Sequence, residues 1–134
     1  MERKNNIFFI VITIVFLLSI LIFKSPILDK NTIPASFHLT KNPGFDHADG
    51  ELRFGGIPIN QSASRKLELV NTFNRPIMIT IESTGEITEQ LIVSENNFEL
   101  LPNESKNISF TVYTSGLTEF REYFGEIIIL SKKI

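Results

Sequence analysis

The chain has 134 residues, with 13 basic and 15 acidic side chains, no cysteine and no tryptophan. This length allows one domain of ordinary size and excludes a multi-domain machine. The lack of cysteine excludes a disulfide scaffold and a cysteine-ligated zinc module. The formal charge of −2 argues against a nucleic-acid binder, because such proteins carry an excess of basic side chains.

The most apolar part of the chain lies close to its N-terminal end. Residues 7–23, IFFIVITIVFLLSILIF, carry no charge, no Gly and no Pro, and only Thr13 and Ser19 interrupt the apolar run. A helix of this length spans about 25 Å, close to the ~30 Å of a hydrocarbon core. The sequence therefore predicts a transmembrane helix over 7–23 that contacts the lipid bilayer as a signal-anchor. Cleavage as a signal peptide is the alternative, and we disfavour it because no small-x-small site follows the run.

The charges around this run predict an orientation. Arg3 and Lys4 precede it, and positively charged residues favour the cytoplasmic side of a membrane. We therefore expect a cytoplasmic N-terminus over 1–6, a single-pass location in the cell membrane, and an extracytoplasmic domain over 35–134. Residues 24–34, KSPILDKNTIP, contain two prolines without periodicity and predict a stalk between helix and domain.

Short runs of alternating apolar and polar residues follow the predicted stalk, as in half-buried strands. These runs lie at 36–39, 52–54, 66–70, 77–81 and 108–112. Residues 127–130 are continuously apolar, which is typical of a central strand covered on both faces. Turn signals such as Asn42-Pro43-Gly44 separate the runs. About seven short strands in roughly 100 residues predict an all-β, immunoglobulin-like β-sandwich that follows the N-terminal transmembrane helix.

Five segments of this region, in this order, carry a family resemblance. They are FGGI at 54–57, RKLELVN at 65–71, RPI at 75–77, LPNESK at 101–106 and YFGEI at 123–127. Their order and spacing resemble those of PapD-like immunoglobulin-like domains, which include the major sperm protein and the spindle-associated ASH modules. The resemblance covers residues 52–130, and it implies a β-sandwich that serves as a binding or scaffolding module and not as an enzyme.

Three asparagines begin N-x-S sequons without an intervening proline: Asn60, Asn103 and Asn107. Asn60 and Asn103 fall in predicted turns, and Asn107 falls on the outward side of a predicted strand. Sequons also arise by chance in a chain rich in asparagine and serine. If the organism has N-glycosylation, we expect at least one of the three to be glycosylated.

One cluster has the chemistry of metal ligands: Asp46, His47, Asp49 and Glu51, with His38 nearby. Carboxylates and imidazoles bind Ca²⁺, Mn²⁺ or Zn²⁺. The spacing fits no EF-hand loop, however, and an Asp-Gly step is ordinary turn chemistry. We therefore prefer a structural loop to a metal site and expect neither a metal nor another cofactor.

Motifs of catalysis are missing from the sequence. It has no Gly-x-Ser-x-Gly elbow, no Gly-rich phosphate loop and no His-Glu-x-x-His, and nothing marks a partner for its two histidines. We therefore predict that the protein is not an enzyme. The aromatic segment 118–124 has two interpretations, a partner-binding edge or a contribution to the core, and we prefer the core.

Three functions compete. The first is a membrane-anchored binding or assembly module that contacts an envelope or surface-layer protein, or other copies of itself, through a sheet edge or face. The second is a component of an archaeal surface filament or archaellum-type apparatus, stator-like or subunit, because archaellum stator proteins share the plan of an N-terminal helix followed by a sandwich. The third belongs to another class, a metal-binding protein or enzyme that uses the loop 46–51.

Overall fold

A computed structural model describes residues 9–17, 26–46 and 49–134. Eight strands lie within these residues, in a five-stranded sheet of order β2-β1-β8-β4-β6 and a three-stranded sheet of order β3-β7-β5. The strands are β1 (Ile27–Leu39), β2 (Leu52–Ile57), β3 (Ser62–Val70), β4 (Ile77–Gly85), β5 (Leu91–Val93), β6 (Phe98–Leu100), β7 (Ser105–Tyr113) and β8 (Glu122–Lys133). The prediction of an all-β domain built from two sheets is confirmed.

The N-terminal region differs from its prediction. Residues 9–17 are helical, and this described stretch is about 14 Å long, less than half of the ~30 Å of a hydrocarbon core. No helix in the described ranges is both long and apolar enough to cross a membrane. The structure thus contradicts the predicted transmembrane helix and the predicted single-pass membrane location. The remainder of 7–23, like the predicted N-terminal segment 1–6, lies outside the described residues.

The predicted stalk is also corrected. β1 begins at Ile27 and pairs antiparallel with β8 almost from end to end, so residues 27–34 form a strand and not a linker. The Leu39 N–H donates to the carbonyl of Arg121, which precedes β8, and the Thr40 N–H donates to the carbonyl of Ile57 in β2. The backbone N–H and C=O groups of even-numbered residues of β1 therefore point towards β2. Pro34 lacks an N–H on that side, where pairing with β2 begins only at Ala35. The proline is therefore tolerated inside the strand.

The core lies between the two sheets and is built from alternate residues of each strand. Ile108, Phe110 and Val112 of β7 are completely buried, as the alternation predicts. β8 is the middle strand of the five-stranded sheet, as its continuous apolar run predicts, although Ile128 on its outer face is only half-buried. Each buried side chain of this size contributes about 1.5–3 kcal/mol. The fully buried large side chains also include Phe37, Leu39, Phe54, Ile57, Ile77, Ile87, Leu100 and Ile127.

A buried asparagine connects the end of β3 to the rest of the domain. The Asn71 side-chain amide donates to the carbonyls of Arg75 and Leu100, each at 2.9 Å, and its oxygen accepts the Phe73 N–H at 2.9 Å. Buried polar groups stabilise a fold only when they are paired in this way. This arrangement gives a physical reason for an asparagine at the end of the segment 65–71.

Candidate functional site

Two carboxylates of the acidic loop pair with an arginine. Asp46 and Glu51 both pair with the Arg53 guanidinium, with N–O distances of 3.2 and 2.7 Å. The hydrogen bond that Arg53 donates to Glu51 and, after it, the contact with Asp46 raise the pKa of Arg53. Asp49 lies in an exposed turn, and His47 lies outside the described residues. In the described part of the chain, no three His, Cys, Asp or Glu side chains converge as metal ligands would.

His38 lies on the outer face of β1, opposite Glu122 of β8. Together with Ser36, Asp46 and Arg53 it lines an open polar cleft of about 320 Å³. Its side chain is exposed and makes no hydrogen bond with any residue that the structure describes. Its position beside Asp46, Arg53 and Glu122 makes this cleft a charged surface.

The aromatic segment 118–124 divides between core and surface. The Tyr123 ring is 5% exposed, stacks on Phe37 with 4.8 Å between ring centroids, and its hydroxyl donates to the Glu119 carbonyl at 3.0 Å. Phe120 and Phe124 are 49% and 56% exposed. The core interpretation is correct for Tyr123 and wrong for the two phenylalanines, since alternation along β8 turns Phe124 to the opposite face.

Arg121 connects the start of β8 to the turn after β4. Its guanidinium lies 2.8 Å from Glu86 and 3.1 Å from Glu119, and it covers the Tyr123 ring at 4.0 Å. The hydrogen bond from Arg121, and next the N–H of Phe124, lower the pKa of the Glu86 carboxyl. Contact with Glu86 in turn raises the pKa of Arg121 above its ordinary range. These groups stabilise an exposed corner of the domain.

The three sequon asparagines all lie at the surface. Asn60 and Asn103 occupy turns with φ angles of 58° and 63°, which asparagine tolerates better than most residues. Asn107 is exposed on β7 opposite Glu68. Glycosylation itself stays a prediction, and the intact mass of the native protein tests it.

Sheet edges are where a β-sandwich can accept another strand, because the backbone groups of an edge strand are unpaired on one side. The free edge of β2 is covered in two places. Gly44 and Gly56 exchange backbone hydrogen bonds of 3.1 and 2.8 Å. The Arg65 guanidinium, which reaches across from β3, donates to the carbonyls of Arg53 at 2.9 Å and Phe54 at 3.5 Å. These contacts occupy the groups that an added strand would need.

The glycine pair of the FGGI segment permits this coverage. Gly55 has a φ of +80°, and a Cβ atom at this position would collide with the Gly44 carbonyl oxygen. Any other residue would therefore push the loop away from the β2 edge.

The two shortest edge strands offer little length for pairing. β5 and β6 have three residues each. Past the end of β6, the Asn96 side chain pairs with β4 as a neighbouring strand would. Its amide donates to the Ile81 carbonyl and its oxygen accepts the Ile81 N–H, both at 2.7 Å. The alternation of apolar residues does not reveal strands this short, and β5 and β6 are missing from the sequence prediction for that reason.

β3 is the long edge strand of the smaller sheet, with nine residues and β7 on one side only. At its two ends, Gln61 accepts from Thr114 N–H and Asn71 donates to the Glu104 carbonyl. Odd-numbered residues therefore face β7. In an antiparallel strand, the N–H and C=O of the intervening residues point the other way, towards the free edge.

Even-numbered residues of β3 carry these free backbone groups, and their side chains are exposed. The Ser64 carbonyl accepts the Arg65 Nη1–H at 3.1 Å. At Lys66, Glu68 and Val70, no described residue pairs with the free edge. We call this stretch, residues 66–70, the open edge. The alternation predicts the strand, but it carries no signal of which strands become its neighbours.

A family model described as "ASH: Abnormal spindle-like microcephaly-assoc'd, ASPM-SPD-2-Hydin" matches residues 42–123, more than half of the chain. The matched range begins in the loop after β1 and contains β2 to β7 completely. No curated protein and no solved structure matches the chain.

Proposed function

Because this chain belongs to the ASH family, we propose that it is a non-catalytic module that binds other proteins through its β-sandwich. The family match carries this proposal, since ASH domains are immunoglobulin-like interaction modules. The distribution of polar groups supports it: Asp46 and Glu51 of the 46–51 loop pair with Arg53, and the His38 side chain makes no hydrogen bond with the residues that the structure describes.

We assign the binding to the open edge of β3. A peptide that adds to a sheet edge gains main-chain hydrogen bonds, and its alternate side chains provide specificity. The open edge offers N–H and C=O groups at Lys66 and Glu68, whereas the β2 edge is occupied by Arg65 and by the loop at Gly44. A partner strand therefore adds to the smaller sheet and extends it beyond β3.

A site-specific photo-crosslinker tests this function in the full chain within its native cells. Placed at Lys66, it is expected to capture a partner protein that a crosslinker at Glu126 does not capture. Glu126 is the matched control, because it is also exposed and outward-facing but lies on the central strand β8.

A proline variant ties the captured protein to the open edge. Glu68→Pro removes one free-edge N–H and leaves the β7 pairing intact, so it is expected to abolish the capture at Lys66. A partner whose capture survives Glu68→Pro, or is equal at Lys66 and Glu126, would contradict binding at this edge.

A further inference from the structure

The open edge of β3 carries charges in a self-complementary order. Lys66 and Glu68 are two residues apart, and both side chains are exposed on the outward face. If two copies of this strand pair antiparallel around a two-fold axis at Leu67, Lys66 of each copy lies opposite Glu68 of the other. Opposite charges directly across a strand pair stabilise it.

We propose that two copies of this chain associate through their β3 edges, antiparallel and with the two-fold axis at Leu67. This inference rests on the proposed function, for it names a second copy as a partner of the same edge. The occupant is argued from charge: the order Lys66-x-Glu68 is complementary to itself when the strand direction is reversed.

The backbone agrees with this register. In an antiparallel pair, the residues that exchange hydrogen bonds must both direct their N–H and C=O groups at the partner strand. With the axis at Leu67, Lys66 pairs with Glu68 of the second copy and Ser64 pairs with Val70. All four are even-numbered residues, whose backbone groups point to the free edge.

Neighbouring registers are disfavoured by charge. An axis at Lys66 places the two Lys66 ammonium groups opposite each other, and an axis at Glu68 does the same with two carboxylates. Like charges directly opposite destabilise a strand pair. The same two side chains thus specify one register and act against the registers on either side of it.

The inner face of the open edge has apolar surface for the partner strand to cover. Leu67 and Leu69 are only partly buried. Leu67 lines an open cleft of about 330 Å³ together with Ile33 of β1 and Leu52 of β2. At the proposed axis, Leu67 of one copy lies directly against Leu67 of the other.

Arg65 limits how far the pairing extends. Its guanidinium donates to the Ser64 carbonyl at 3.1 Å and reaches to β2, so the Ser64–Val70 pair can form only the hydrogen bond that the Ser64 N–H donates. The shared stretch is therefore short and centred on two Lys66–Glu68 pairs. We expect a reversible dimer whose population depends on protein concentration.

Charge reversal tests the register in the full chain by sedimentation velocity, with all samples in the same mild detergent. Lys66→Glu and Glu68→Lys are each expected to weaken self-association about tenfold or more, because each places like charges opposite. The double variant K66E/E68K is expected to restore it. Lys41→Glu, an exposed change outside the strand, is the control.

The two single variants also test each other. When Lys66→Glu and Glu68→Lys are mixed, every facing pair is opposite in charge, and a mixed dimer is expected although each variant alone is monomeric. Since all variants share the apolar residues 7–23, any association through that segment is equal in every sample. Association that does not respond to these charges would overturn the proposal.

A disulfide locates the axis, because the chain has no cysteine of its own. Facing residues that do not exchange hydrogen bonds have Cα atoms about 4.5 Å apart, within the range a disulfide spans. Leu67→Cys is therefore expected to crosslink under oxidation. Leu69→Cys is not, because its counterpart lies about 14 Å away along the strands. Equal crosslinking of the two variants, or none at Leu67→Cys, would overturn this axis.

The outcome separates this inference from the proposed function. If the charge and cysteine variants show no self-association, while Glu68→Pro still abolishes capture of a different protein, the homodimer is wrong and the binding function stands. If the captured protein at Lys66 is this chain itself, both are supported.

Discussion

β2 and β3 lie side by side at the same end of the two sheets, yet their free edges differ. The β2 edge is covered by a loop at Gly44 and by the Arg65 guanidinium. The β3 edge keeps open backbone groups from Lys66 to Val70. Arg65 belongs to β3, but its guanidinium donates to carbonyls of β2. A side chain of β3 thus covers the free edge of β2, while the free edge of β3 keeps unpaired backbone groups. The difference teaches that unpaired backbone groups, whatever the side-chain pattern, decide which edge strand is able to accept another strand.

The largest expected effect tests which way the backbone of β3 points. Leu69→Pro removes an N–H that faces β7 and is expected to destabilise the domain by about 3 kcal/mol or more. Glu68→Pro removes an N–H on the free side and is expected to cost about 1 kcal/mol or less. Urea denaturation of the two variants measures the difference. Equal losses would mean that the two sides of β3 are not distinguished in this way.

A second pair of variants tests the coverage of β2. Gly55→Ala is expected to destabilise the domain by about 2–3 kcal/mol, from a left-handed φ and a collision with the Gly44 carbonyl. Gly50→Ala is the control, because Gly50 has nearly the same φ, +79°, but open space around it. It is expected to cost only about 1 kcal/mol. If thermal unfolding shows the same loss of stability for both variants, the close contact between the loop at Gly44 and β2 does not contribute to it.

Arg65→Ala removes the contact that joins the two edges. The Arg53 carbonyl loses a hydrogen bond from a charged donor, and we expect a loss of about 1–2 kcal/mol. The Ser64 carbonyl becomes free, so the open edge lengthens and capture of a strand there is expected to increase. Arg65→Lys is not expected to rescue the contact, since an ammonium lacks the planar fork that reaches several carbonyls. Arg75→Ala, an exposed change, is the control for denaturation.

The smallest expected effect concerns pH at the exposed corner where Glu86 pairs with Arg121. Arg121 lowers the pKa of Glu86 below its ordinary value of 4.5, so the ionised form stabilises the folded state. This stability is present above pH 4.5 and is lost as the pH falls through the lower pKa of the folded protein. Glu86→Gln is expected to flatten the decline of the melting temperature between pH 5 and pH 3 slightly, and Glu89→Gln is the control. An unchanged decline in Glu86→Gln would contradict this contribution.

The parts of the fold that follow from local pattern were predictable from the sequence. Ile108, Phe110 and Val112 alternate with polar residues, and the structure buries all three. Alternation also puts Tyr123 and Phe124 on opposite faces of β8, and the structure buries Tyr123 and exposes Phe124. A run of three residues such as β5 is too short for any periodicity to detect.

The candidate site depends on contacts that are distant in sequence. Arg65 reaches Arg53, and Gly44 pairs with Gly56, but neither partnership leaves a local pattern. The openness of β3 follows from what does not pair with it, which only the complete strand order reveals. The transmembrane helix is a different case, because a clear local pattern predicted an element that the described residues do not contain. The apolar composition of 7–23 alone supported it, and no described helix is long and apolar enough to cross a membrane.

The strand order has a consequence for how the protein is made. β8 follows the other described strands in the chain, yet it occupies the middle of the five-stranded sheet, between β1 and β4. The smaller sheet, which contains β3, has all its strands synthesised before β8 emerges from the ribosome. During translation, β1 and β4 are therefore synthesised before the strand that lies between them. Until β8 is added, the backbone groups of β1 and β4 that pair with β8 in the finished domain stay unpaired. A ribosome stalled before Glu122 would hold a chain whose larger sheet is still in two parts.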